Sequence, residues 1–331
     1  MKNKYLHKKF ISTYNPNNIS KKYTILKNEK KIIFKKLSDS ISNRNIDNCI
    51  KYIIELHCSG FIDNIINKLS ILYFNKINLA EPNGINILYE FLSYYYNKYD
   101  CKFKKKNPLI LVNDQKIRNF LYFFVTFLNI SNQRNILKLQ KISLDDFNLN
   151  HKKEDLISKN LNLIIPFIKK EDPKDIIIPL SEISNYLHNK LIDNRTDKII
   201  YWISWLFEYE KQYHKNNLMV GYREYITDVD KKYKRDFIWI LWKIIVYYSN
   251  KDNKILIDKL IKMYKFNYTR GSKKSKSNLI ITAVSLITNP LPKIKYPIPK
   301  LKNEQYKLCA FQSLKCNINY LKLFQKISIN L

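Results

Sequence analysis

The chain has 331 residues, 45% of them hydrophobic, and carries 59 Lys and Arg against 28 Asp and Glu, a formal net charge of +31. That length and apolar content suit one large helical domain or two modest ones with a real core. The composition counts against a disulfide framework, a secretory leader and a membrane anchor. The five cysteines (Cys49, Cys58, Cys101, Cys309 and Cys316) are odd in number and form no CxxC pair, which points to a reduced compartment, cytoplasmic or nuclear. Residues 1–10 lack an apolar core of the signal-peptide type, and the stretches Phe120 to Leu128 and Phe237 to Tyr248 are too short to span a bilayer.

In chain order, residues 1–26 read as a basic mobile arm. The apolar positions Ile46, Cys49, Ile50, Ile53 and Ile54 have the three-and-four spacing of a buried helix face, with Asn45 as N-cap, Asp47 in the first turn and Gly60 as the stop. A second helix follows through Ile62, Ile66, Leu69 and Tyr73, and Pro82 opens a third through Leu88, Phe91 and Tyr95. Cys101 to Pro108 is a lysine-rich connector, and Asn113 to Ile130 is a strongly apolar helix. Pro166, Pro173 and Pro179 break up the next stretch. A second helical block begins near Asp193 and carries an aromatic helix, Phe237 to Tyr248, then Ile255 to Tyr264, a polar basic loop, Thr269 to Ser277, and Asn278 to Thr288. Strand signals are weak throughout. The expected fold is therefore all-α: an arm (1–26), a helical bundle (27–140), an irregular linker (141–180), a second bundle (181–300) and a C-terminal helix (301–331). The two blocks run through similar elements, each with a basic stretch before an apolar helix, as a duplicated unit would.

The first block carries a resemblance. Arg44-Asn45-Ile46-Asp47, then Tyr52 and Glu55-Leu56, then Ile77-Asn78-Leu79-Ala80-Glu81-Pro82, resemble the C-terminal collar domain of replication-associated recombination AAA+ ATPases, clamp-loader relatives that include the Werner-helicase-interacting protein. The resemblance covers about residues 32–135. It departs from the family pattern at Asn78, where the family has glycine, at Asn75 and Lys76, where it has acids, and at the basic insertion Lys102 to Lys106. It implies a helical bundle that self-associates and faces DNA, alongside replication proteins. It does not imply catalysis.

Chemistry is scarce. The only glycines are Gly60, Gly84, Gly221 and Gly271, and none begins a phosphate loop or a dinucleotide fingerprint. The five histidines form no metal-ligand pattern, and the acid pairs Asp145-Asp146, Glu154-Asp155 and Glu171-Asp172 read as turn or capping residues. No cofactor, metal or catalytic residue is expected. The basic clusters are the candidate sites: Arg270, Lys273, Lys274 and Lys276; Lys102, Lys104, Lys105 and Lys106; and Lys231, Lys232, Lys234 and Arg235. The first is expected to be a flexible loop whose lysines meet phosphates together with the following helix N-terminus. Lysine over arginine predicts point-charge contact with phosphates rather than base readout. Trp205, Trp239 and Trp242 read as core. A Lys-, Asn- and Ile-heavy composition also fits an AT-rich genome, which raises lysine content without selection for binding. The expected function is a non-catalytic DNA-binding or scaffold factor in replication or repair, gripping backbone without sequence preference. The alternatives are a basic structural component of a DNA-virus particle and an enzyme with an unrecognised site.

Overall fold

A computed structural model of the protein describes residues 21–99, 108–134, 137–149, 156–158, 161–215 and 218–289. These residues form α-helices joined by short 3-10 turns, and they contain no strand; β-type pairing is confined to the isolated bridges Tyr23–Glu29 and Met219–Asp236. The fold is all-α. Two compact units share the chain. Among the described residues the first gathers 21–81 and 94–134, and the second 82–93 and 137–289.

The first unit is built on α1 (Lys30–Ser42), α2 (Ile46–Cys58), α3 (Ile62–Lys76), α5 (Pro108–Asn113) and α6 (Gln115–Ile130), while α4 (Asn83–Lys98) gives it only its last turns. Its centre is α2, which packs against α1, α3 and α6. Ile53 and Leu56 are fully buried there, each worth about 1.5–3 kcal/mol of apolar transfer. The caps are those the sequence announces. The Asn45 side chain accepts from the Asn48 N–H. Gly60 lies at φ 76°, where the Phe61 N–H reaches the Leu56 carbonyl and the Gly60 N–H that of His57, a pairing that needs a left-handed residue. Arg44 occupies the same position after α1, at φ 54°.

Residues 21–28 depart from the mobile arm expected over 1–26. Glu55 is buried, and its carboxylate draws the Thr24 hydroxyl and the Asn28 amide onto α2, while the Ile25 N–H donates to Ser59 Oγ (2.9 Å). The glutamate of the collar-like motif thus fastens the chain that precedes α1. In the second half of the motif, Ile77 and Leu79 are buried, Ala80 and Glu81 close a 3-10 turn fixed by the Tyr73 hydroxyl, and Pro82 precedes α4. Burial raises the Glu81 carboxyl. Tyr52 is half-buried, and Arg44 and Asp47 are exposed.

The second unit is built on α7 (Ile177–His188), α8 (Arg195–Tyr213), α9 (Ile238–Tyr247), α10 (Lys251–Lys265) and α11 (Ser277–Thr288). Its axis is α9, apolar apart from the exposed Lys243, with Trp239, Leu241 and Trp242 at 0% exposure. It packs against α7, α10 and α11, and α7 lies along α8. Within the stretch expected to be a linker, 3-10 turns bury Ile164, Phe167 and Ile176. Pro179, expected to break structure, sits in the first turn of α7, where its missing N–H has no intrahelical partner to lose. The α10 helix starts four residues before the expected Ile255, because Asn250 and Asn253 form a reciprocal capping box.

Candidate nucleic-acid interface

The three basic clusters meet three different fates. Lys102, Lys104, Lys105 and Lys106 lie outside the described residues. The other two clusters both belong to the second unit and differ in nearly every respect.

The 270–276 run is not a flexible loop. It forms two 3-10 turns leading into α11, and Thr269 and Ser272 cap the first of them reciprocally. Lys273 is 3% exposed. Its ammonium lies 2.7 Å from Glu210 Oε1 and 2.9 Å from Asp236 Oδ1. Glu210 comes from the inward face of α8, and Asp236 stands just before α9, where it also accepts the Ile238 N–H and the Tyr268 hydroxyl (2.8 Å). Burial raises the Glu210 carboxyl, and Lys273 works against that rise. One cation between two buried acids, with phenol and backbone donors completing their shells, is a satisfied internal network. Lys276 is also turned inward. Its ammonium donates to the carbonyls of Tyr264 (3.0 Å) and Phe266, the open end of α10, where a cation suits the helix dipole. Burial pushes it down to about 8. Lys274 is exposed and pairs with Glu208, and Arg270 donates to the Lys232 carbonyl (2.9 Å). The expectation that this run meets phosphates is corrected for Lys273 and Lys276: the acids of α8 and the loop before α9 compete for the first, and the end of α10 for the second.

The 231–235 run has its backbone pinned and its side chains open. The Val220 N–H donates to the Arg235 carbonyl and the Arg223 N–H to that of Lys234. Behind it lies a buried ion pair, Arg223 with Asp172, whose carboxylate also takes the Gly221 N–H (2.8 Å). Lys231, Lys232 and Arg235 are exposed and Lys234 half-buried. The Lys232 ammonium lies over the Tyr233 ring (4.9 Å) and that of Lys234 over Tyr222 (5.7 Å).

Two further lysines join this run, and neither was a candidate in the sequence. Lys262 and Lys265 stand three residues apart on the last turns of α10. Burial lowers the Lys265 ammonium; Asp228 counters that shift, and the positive charges of Lys262 and Lys234 add to it. Lys262 and Lys234 thus each lie near enough to Lys265 to act on its charge, and none of the three forms an ion pair among the described residues. Beside them Lys259 donates to Asn86 Oδ1 (2.7 Å), lies 3.8 Å from Glu90, and with Lys262 faces the ring of Tyr89 (5.5 and 5.8 Å). The sequence carried a usable signal: Lys259, Lys262 and Lys265 recur at a spacing of three along a helix whose opposite face is apolar.

A second feature that sequence reasoning missed lies in the first unit. Asp114 caps α6 by accepting the Lys116 and Ile117 N–H groups. It also takes Lys98 (2.6 Å), Tyr94 (2.7 Å) and Tyr99. Burial pushes this carboxyl up, but the donors outweigh it and hold it well below the usual carboxylate range. It borders a shallow cleft of about 430 Å³ with Leu109, Ile110 and Asn113. An acid so saturated with donors serves as a clamp between helix ends rather than as a base.

No family model, no curated protein and no solved structure matches the chain.

Proposed function

We propose that the protein is a non-catalytic nucleic-acid-binding factor that holds the phosphate backbone without reading sequence. The observation that carries this reading is the exposed basic run Lys231, Lys232 and Arg235, its backbone pinned and its charges outside any ion pair among the described residues, with Lys234, Lys262 and Lys265 beside it and Asp228 the carboxylate that acts on Lys265. Gathering like charges raises the energy of the folded chain, and a polyanion relieves that cost by neutralising the cluster and releasing its own counterions. Ammonium groups on flexible stems, with Arg235 the one exposed guanidinium of the run, favour point-charge grip over bidentate base recognition. The setting in DNA replication or repair, and self-association through the first unit, rest on the collar resemblance alone.

Replacing Lys234, Lys262 and Lys265 together with Ala tests the reading. In a fluorescence-anisotropy titration over a series of salt concentrations, the slope of log affinity against log salt is expected to flatten by roughly 2 to 3, given about 0.9 per neutralised phosphate. An unchanged slope, with folding verified by circular dichroism, removes this surface from the site.

A further inference from the structure

The two basic runs of the second unit meet at one point. Arg270, on the first 3-10 turn ahead of α11, donates from its guanidinium to the Lys232 carbonyl (2.9 Å), 38 residues away in the chain. That bond completes a series. The Tyr233 carbonyl accepts the Trp239 indole N–H (2.8 Å), the Lys234 carbonyl the Arg223 N–H (3.2 Å) and the Arg235 carbonyl the Val220 N–H (3.1 Å). The four successive carbonyls from 232 to 235 are thus each held by a different donor, while the side chains of Lys231, Lys232 and Arg235 stay exposed. Within the run, the turn Lys231–Tyr233 is closed only by the Tyr233 and Lys234 N–H groups, on the carbonyls of Asp230 and Lys231. A 3-10 turn of three residues is weakly bonded by itself, so donors from outside decide whether it keeps its shape.

The turn that carries Arg270 is fixed in its own right. Thr269 and Ser272 cap it reciprocally, and the next residue, Lys273, is drawn inward by Glu210 and Asp236. The guanidinium also faces Met219 Sδ (2.9 Å), and Met219 pairs through a β-bridge with Asp236. Arg270 is half-buried and forms no ion pair among the described residues.

Resting on the reading of 231–235 as a phosphate-binding run, we infer that Arg270 is its positioning residue: it fixes the Lys232 carbonyl, and with it the directions in which Lys231, Lys232 and Arg235 face a polyanion, and takes no phosphate itself. The second basic run is then the mount of the first. A phosphate backbone meets cations already in order, and the entropic cost of ordering them falls on folding rather than on binding.

The test uses the full chain and a fluorescent DNA duplex over a series of salt concentrations. Arg270→Met removes donor and charge together; Arg270→Gln removes the charge and keeps an amide donor for the carbonyl. Arg270→Met is expected to lose about tenfold in affinity, the effect of releasing one ordered residue, and Arg270→Gln to recover most of it. The slope of log affinity against log salt should keep its wild-type value in both, and urea midpoints should stay near wild type. A slope lowered by about 0.9 in both variants, with no recovery in Arg270→Gln, means direct phosphate contact and overturns the inference. Wild-type affinity in a folded Arg270→Met overturns it as well. Were Arg270→Met to fail to fold, Arg270→Gln decides alone, since a lowered slope there is fatal. Replacing Lys231, Lys232 and Arg235 together with Ala reports on the surface beneath. If that variant flattens the slope while the Arg270 variants are silent, the mount fails and the phosphate-binding run stands. If it leaves the slope unchanged, the run itself fails.

Discussion

The runs 231–235 and 270–276 are nearly interchangeable as sequence, each a short basic segment ahead of an apolar helix, yet one presents its charges outward and the other turns two of its lysines into the protein. The difference lies in what surrounds them. Glu210 and Asp236 converge on 273, and the carbonyl end of α10 on 276, and give the inward-turned ammonium groups their partners. At 265 the opposing charge is Asp228, and 234, 262 and 265 form no ion pair among the described residues. Positive charge in a chain of +31 is therefore divided between a fraction paired inside the fold and a fraction left exposed, and local sequence does not reveal which is which.

The comparison breaks most visibly at Lys273. Lys273→Met leaves Glu210 and Asp236 buried without their cation, and a loss of about 3–5 kcal/mol is expected in urea denaturation. The alanine variant of exposed Lys262 should stay within about 0.5 kcal/mol of wild type. Similar losses at the two sites would erase the distinction between them.

A pH series sharpens it next. Lys276 is lowered to about 8 by burial, so between pH 8 and the ordinary lysine value of 10.5 the folded chain binds fewer protons here than the unfolded chain. Stability from this group rises with pH across that window, by at most about 1.4 kcal/mol per unit. Tyr264 and Tyr268 are raised by burial, bind more protons when folded, and lower stability above pH 10. Denaturation midpoints should therefore climb from pH 8, peak near 10 and then fall. Lys276→Met should reduce the climb, leaving the part that the lowered Lys265 contributes, and leave the fall.

The smallest effect is expected at Lys274, which sits between the two buried lysines in sequence but pairs with Glu208 in solvent, its side chain 58% exposed. Lys274→Ala should cost no more than about 0.5 kcal/mol, a loss that disappears in high salt. A loss above 2 kcal/mol would mean that the run holds together as one unit rather than through individual lysines.

The helices were legible because their signals are local. The spacing of Ile46, Cys49, Ile50 and Ile53 declares α2, and Asn45 and Gly60 mark its ends. Pro179 misled because a proline reads as a breaker unless its position within the first turn is known. The site was less legible, since the fate of a lysine depends on acids far away in the chain: Glu210 and Lys273 are 63 residues apart. Part of that was written in α8 nonetheless. Ile199, Ile203 and Leu206 define its inward stripe, and Glu210 continues the same stripe, so an acid was destined for the interior and required a cation from elsewhere. Lys262 and Lys265 escaped notice because they are dispersed along a helix instead of clustered in a run, and Asp114 because three of its donors come from the end of α4.

The Glu210–Asp236–Lys273 network also dictates an order of events during synthesis. A ribosome releases α8 and α9 with both carboxylates in place while their shared counter-ion is still 37 residues behind the second of them. Until residue 273 emerges, packing α8 against the segment before α9 would bury Glu210 and Asp236 without their cation, so the closure of the second unit is expected to follow the arrival of the turns that lead into α11. Nascent chains stalled before that point should remain open to protease across 195–247, and chains released beyond it should become protected there together.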